Sequence, residues 1–181
     1  MFGPNPAVFF DRDGVLIESS VRDGKPYPPR TEDEIRLDEH GRDAIRRLRA
    51  AGFSLAVITN QPDVARKTVT AESVNRINAA TAQLLGLSPD SFFTCFHDDA
   101  DGCSCRKPGP SLVYQAARHC AADLSRSFVV GDRWRDIGAA HRGGCRAIWI
   151  DRGYRERPPD RPYHRVVTLG EAVDWIINAE P

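Results

Sequence analysis

Ala7-Val8-Phe9-Phe10-Asp11-Arg12-Asp13-Gly14-Val15 is the stretch on which the fold turns. Its apolar start reads as a short strand buried on both faces, as in a parallel sheet. The run stops on two carboxylates, Asp11 and Asp13, and a glycine that permits a turn. Taken alone, Asp-x-Asp is a weak signal and reads more readily as a polar turn. The pattern recurs, however, at Val130-Gly131-Asp132, with Asp136 one helical turn later.

Outward from this stretch, strand and helix patterns alternate. Residues 14–37 are polar and rich in Pro and Gly, and are expected to form a loop or flap (14–30) with little regular structure. Gly41 to Ala51 reads as a helix burying Ala44, Ile45 and Leu48, stopped by Gly52. Ser54 to Ile58 reads as a strand, Thr70 to Leu85 as a helix capped by Thr70, and Phe92 to Phe96 as a strand. Then come a helix at Ser111–Ala121, a strand at Phe128–Val130, a helix around Arg135–Arg142, a strand at Cys145–Ile150 and a final helix near Leu169–Ala179. Arg152 to Arg165, basic and Pro-rich, reads as a solvated tail, with a lid or a contact segment as alternatives. Such alternation implies an α/β fold, a parallel sheet with helices on both faces. Ligands of such sheets sit beyond the carboxyl ends of the strands. Asp11, Thr59, Cys95 and Asp132 all fall at or near predicted strand ends.

The 181 residues fit a single domain spanning 1–181. Lys and Arg number 25, as do Asp and Glu, so the net charge is zero and general attraction to nucleic acid or an anionic membrane is not expected. No apolar run approaches the roughly 20 residues of a membrane span. Met1 to Phe10 lacks the basic start and cleavage site of a signal peptide, so a cytoplasmic protein is expected.

Carboxylates gathered at one sheet edge repel one another unless a cation compensates them. Magnesium suits such a site, because it takes oxygen ligands and keeps exchangeable waters. Ile58-Thr59-Asn60-Gln61 adds a hydroxyl and amides at another strand end, and Arg106-Lys107-Pro108 adds two cations in a loop. Together they describe an anion site with a metal, a hydroxyl and a positive charge. Separately, Cys95-Phe96-His97 and Cys103-Ser104-Cys105 place three thiols and an imidazole within eleven positions. That set is expected to close a tetrahedral structural zinc site in a loop at 95–105. Cys120 and Cys145 read as inert core thiols.

The ordered series Asp11-Arg12-Asp13-Gly14, Thr59-Asn60-Gln61, Arg106-Lys107-Pro108 and Gly131-Asp132…Asp136 resembles the four motifs of the haloacid dehalogenase superfamily. The resemblance runs from about residue 7 to residue 153. It implies a three-layer Rossmann-like fold; residues 14–40 are too few, and residues 62–94 hold one helix and its connections, so no separate cap domain is expected. The resemblance also implies a nucleophilic Asp11 and an acid–base Asp13. Magnesium would be held by Asp11, the Asp13 carbonyl and Asp132. Thr59 and Lys107 would bind the transferring phosphoryl group, and Asp136 would orient Lys107 or a metal-bound water.

The C-x-H…C-x-C loop ahead of Arg-Lys-Pro is similar to the branch holding D-glycero-D-manno-heptose 1,7-bisphosphate 7-phosphatases and histidinol-phosphate phosphatases. The heptose group is favoured by the short gap in the zinc loop and by the pattern from Thr59 to Arg66. That resemblance implies substrate contacts from Arg106, Asn60, Gln61 and Arg133 and a small sugar phosphate as the partner; a monomer is expected, with nothing in the sequence that fixes the oligomeric state. Histidinol phosphate is the competing substrate, with Glu18 or Tyr27 of the flap as its imidazole partner. A zinc-stabilised binding module is the non-enzymatic alternative.

Overall fold

The computed structural model describes residues 5–179, so Met1–Pro4 and the last two positions of the expected 1–181 domain lie outside the described residues. Six parallel strands form one sheet: β1 (Ala7–Phe10), β4 (Ser54–Asn60), β5 (Phe92–Cys95), β6 (Phe128–Gly131), β7 (Arg146–Ile150) and β8 (His164–Val166). Two more, β2 (Ser20–Arg22) and β3 (Lys25–Tyr27), pair antiparallel as a separate hairpin. The helices are α1 (Gly41–Ala50), α2 (Ala71–Leu85), α3 (Ser111–Cys120), α4 (Trp134–Gly143) and α5 (Leu169–Asn178). Among the described residues no helix is long and apolar enough to cross a membrane.

The strand order is β5-β4-β1-β6-β7-β8. The chain builds outward from β1 on one side, then returns to place β6 on its other side. This reversal opens a crevice at the carboxyl ends of β1 and β6. Alternate side chains of β1 serve opposite layers. Val8 and Phe10 pack with Ala44, Ile45 and Leu48 of α1 and with α5. Ala7 and Phe9 pack with Leu112, Val113 and Ala116 of α3 and Ile137 of α4. Both faces of the strand are thus apolar, which is why its sequence runs unbroken. The sheet with helices on both faces is the expected α/β architecture.

Two expectations need correction. The flap is not simply irregular. Gly14 takes φ +81° and turns the chain back, so Val15, Leu16 and Ile17 are fully buried, and the hairpin follows. Nor is the 152–165 segment a solvated tail. Arg152 donates to the Gly14 carbonyl at 2.9 Å and to Asp38 at 2.8 Å. The Arg155 amide donates to the carbonyl of Gly24 in the hairpin turn at 2.8 Å. His164–Val166 then joins β7 as the edge strand. Polar composition concealed this, because the segment is anchored by hydrogen bonds more than by apolar burial.

Candidate active site

Asp11 follows the last residue of β1, and its amide donates to the Val130 carbonyl of β6 at 2.9 Å. Asp132 follows β6, and Asp136 lies in the first turn of α4. The carboxylate oxygens of these three buried residues come within 4.8 Å of one another. Two glycines make the approach possible. A Cβ on Gly14 would stand 1.9 Å from Asp132 Oδ2, and one on Gly131 would stand 2.1 Å from the Asp136 Cβ. No side chain fits at either position.

Lys107 reaches this cluster fully buried. Its Nζ donates to Asp11 Oδ1 at 2.9 Å and to the Ile58 carbonyl at 2.7 Å, and lies 2.6 Å from Asp136 Oδ1. Burial would lower the lysine pKa, but Asp11 and Asp136 reverse that and hold it above its ordinary value. Burial pushes Asp11 up to about 7, Lys107 opposes this, and Asp136 and Asp13 add to it. Burial also raises Asp132 well above the carboxylate range, with Asp11 and Asp136 next in effect. One lysine therefore leaves the three acids under-compensated.

Both Asp132 carboxylate oxygens are buried without a hydrogen-bond partner. Such orphaned acceptors are costly. A hard divalent cation between Asp11 and Asp132 fits this oxygen donor set.

Asp13 faces a different set of partners. Arg12 Nη2 donates to its two oxygens at 3.1 and 3.0 Å, and Gln61 Nε2 donates to Oδ2 at 2.7 Å. The same Gln61 nitrogen donates to Thr59 Oγ1 at 2.9 Å. Asn60 clasps the Lys107 backbone, accepting from its amide and donating to its carbonyl, both at 3.0 Å. Asn60 and Gln61, expected on the substrate, thus have their amides engaged inside the protein, and Gln61 is buried.

Arg106 turns toward the cysteine loop, bonding Asp99 at 2.8 Å and the His97 carbonyl at 3.2 Å. Arg133 is paired with Glu156 through both guanidinium and carboxylate groups. The cavity beside Asp11 is lined by Asp13, Asn60, Lys107, Arg133, Arg135 and the hairpin residue Pro26, among others. Glu18 and Tyr27 do not line it.

Sequence reading missed Arg12, Arg135, Tyr154 and Glu156. The Tyr154 hydroxyl lies beside the Asp132 carboxylate and moderates its rise. The signal for Arg12 was its position between two candidate catalytic acids. The other three gave no local signal.

The cysteine loop gathers its four donors at the end of β5. The Sγ separations are 3.7 Å (Cys95–Cys103), 3.1 Å (Cys95–Cys105) and 3.5 Å (Cys103–Cys105). His97 Nδ1 lies 3.6 Å from Cys95 Sγ and 3.3 Å from Cys105 Sγ. A disulfide would need about 2.05 Å, and all three cysteines are free. Tetrahedral zinc with bonds of about 2.3 Å sets its sulfurs roughly 3.8 Å apart. The donors fit that ion. Burial pushes the Cys95 thiol up to about 12, so an ion would have to displace its proton.

Fold and site together define a hydrolase of the haloacid dehalogenase type. A HAD-hydrolase-like family model matches residues 104–172. The D-glycero-D-manno-heptose-1,7-bisphosphate 7-phosphatase of Thermosynechococcus vestitus is 31% identical over 96% of each chain. The D-glycero-beta-D-manno-heptose-1,7-bisphosphate 7-phosphatase of Bordetella bronchiseptica is 36% identical over 79% of this chain and 78% of that one. The crystal structure of the B. bronchiseptica D,D-heptose 1,7-bisphosphate phosphatase, complexed with magnesium and phosphate, superposes with a TM-score of 0.80 at 27% identity. It covers 95% of this chain and 98% of that one. The chain belongs to the D-glycero-D-manno-heptose 1,7-bisphosphate 7-phosphatase family.

Proposed function

We propose that this protein hydrolyses the 7-phosphate of D-glycero-D-manno-heptose 1,7-bisphosphate with magnesium through a phospho-aspartyl intermediate on Asp11. The observation that carries this reading is the buried Asp11–Lys107–Asp136 contact beside the orphaned Asp132 carboxylate. Family membership supports the substrate.

Asp11, Asp132 and the Asp13 carbonyl are the residues to hold magnesium, whose charge would ionise Asp11 and draw in the phosphoryl oxygens. Asp11 attacks phosphorus in line with the sugar oxygen, and the P–O bond to the sugar breaks. Asp13 gives its proton to that leaving oxygen. The ionised Asp13 then takes a proton from water as the water oxygen attacks phosphorus and the Asp11–phosphorus bond breaks. Lys107 and Thr59 face the charge spread over the transferring oxygens. Asp136 holds Lys107 in place.

The Cys95, His97, Cys103 and Cys105 set is a structural zinc site in this reading. It fixes the loop that delivers Lys107, while Asn60 grips the Lys107 backbone from β4. Arg106 and Arg133 reach the sugar or its second phosphate only by exchanging their present partners, Asp99 and Glu156.

Histidinol phosphate is less well served. Its suggested imidazole partners, Glu18 and Tyr27, lie off the cavity. The test is kcat/KM for phosphate release with magnesium, from both anomers of the heptose bisphosphate and from histidinol phosphate. The expected result is a preference of about a hundredfold or more for one heptose anomer, nearly 3 kcal/mol of differential transition-state binding. Equal, low rates on all three would remove the heptose assignment and keep the phosphatase chemistry.

A further inference from the structure

Arg12 is among the largest fully buried side chains of the described residues. An arginine is rarely taken wholly out of water, and its charge must then be matched closely. Here the match is made to one residue above all. Arg12 Nε lies 3.2 Å from each Asp13 oxygen, and Nη2 donates to the same two oxygens at 3.1 and 3.0 Å. The remaining Nη1 donates to Asn78 Oδ1 of α2 at 2.7 Å. Asn78 is itself buried and fixed by donating to Thr94 Oγ1 of β5 at 3.0 Å.

The two buried cations of the site are therefore divided between its two reacting carboxylates. Lys107 faces Asp11, and Arg12 faces Asp13. A planar guanidinium meeting a carboxylate through two nitrogens fixes the carboxylate's plane as well as its distance. A lysine at this position would fix neither.

We propose that Arg12 is a positioning residue for the proton transfers, acting through Asp13, with Asn78 holding the guanidinium from α2. The inference rests on the acid–base role of Asp13 proposed above. In the first half-reaction Asp13 enters protonated and passes that proton to the leaving sugar oxygen as the Asp11–phosphorus bond forms and the phosphorus–sugar oxygen bond breaks. In the second, Asp13 recovers a proton from the attacking water. Both transfers require the carboxylate to point at one oxygen position in the cavity, and the Arg12 fork sets that direction.

The test compares two esters. p-Nitrophenyl phosphate expels a leaving group stable as an anion, which needs no proton. The heptose bisphosphate, or a simple alkyl phosphate, expels an alkoxide that does. We compare kcat/KM, which covers the steps up to phosphoryl transfer to Asp11, for the wild type, Arg12→Met, Arg12→Lys and Asn78→Ala.

Arg12→Met is expected to lose about a hundredfold on the alkyl ester and less than about tenfold on the aryl ester, in line with general-acid contributions of 10²–10⁴. Arg12→Lys is expected to recover little of the alkyl activity. Asn78→Ala leaves the ion pair in place, so it should show the same selective loss at a smaller size, about threefold to tenfold. It decides the matter if Arg12→Met does not fold. In an Asp13→Asn background, Arg12→Met should add no further loss on the alkyl ester.

Equal losses on both esters, in Arg12→Met or in Asn78→Ala, would overturn the proposal and leave Arg12 a packing residue. A wild-type enzyme that turns over neither ester would overturn the phosphatase reading instead. The two failures are distinguishable.

Discussion

At the scale of single residues, Asp132 and Asp11 carry the strongest predictions. Asp132 keeps two buried carboxylate oxygens that make no formed hydrogen bond, although the Tyr154 hydroxyl lies beside them, next to two other acids. If a cation is what compensates them, Asp132→Asn should weaken magnesium binding by at least tenfold, about 1.4 kcal/mol, in a calorimetric titration of the variant. Unchanged affinity would remove Asp132 from the metal site. Asp11 gives a pH dependence. Its carboxyl is raised by burial to about 7 in the metal-free protein. A group raised on folding binds its proton more tightly in the folded state. Its contribution to stability is then fully present below the unfolded value of about 4 and is lost as pH rises through about 7. The elevated Asp132 pushes the same way. The metal-free protein should therefore melt at a lower temperature at pH 8 than at pH 5. Added magnesium, binding the ionised acids, should raise the melting temperature more at pH 8. A metal-induced rise that is larger at pH 5 would contradict this account of the cluster.

At the scale of elements, the cysteine loop and the segment after β7 show what sequence discloses and what it hides. Cys95, His97, Cys103 and Cys105 are close in sequence, so their meeting in space needs only a short loop. Asp11, Thr59 and Asp132 are legible as neighbours because each follows or ends an apolar run, and parallel strands bring such ends to one edge. Arg12, Arg135, Tyr154 and Glu156 are different. A charged residue between two acids, or in a Pro-rich stretch, gives no local sign of burial. Each takes its role from a partner on a distant element: Asn78 for Arg12, Asp99 for Arg135, Asp132 for Tyr154 and Arg133 for Glu156. The burial of Val15–Ile17 was missed for a related reason, since the turn at Gly14 folds a short apolar run under polar neighbours. The loop also makes a prediction. Cys103→Ser should bring metal analysis from one zinc per chain to near none. It should lower kcat/KM by at least about tenfold through the loosened Lys107 loop. It should leave magnesium affinity within about threefold. Full activity without zinc would separate the loop from the reaction.

At the scale of the whole molecule, the sheet order explains why one edge carries all the chemistry. β1 lies between β4 and β6, and the helices α3 and α4 cover one face while α1 and α5 cover the other. No additional domain stands over the crevice among the described residues. The β2–β3 hairpin and the segment around Arg155 approach it from the rim, joined through the Gly24 carbonyl. With no net charge overall, attraction for a phosphate ester has to come from the local set of Lys107, Arg133 and Arg135 and the proposed metal. The central claim is that this set passes a phosphoryl group to Asp11. Rapid acid quenching of enzyme mixed with magnesium and heptose bisphosphate, followed by peptide mass mapping, tests it directly. A transient phosphoryl adduct is expected on the peptide containing Asp11, absent from Asp11→Asn, forming no more slowly than steady-state turnover. Turnover with no adduct at any quench time, or phosphate release that survives Asp11→Asn unchanged, would contradict it.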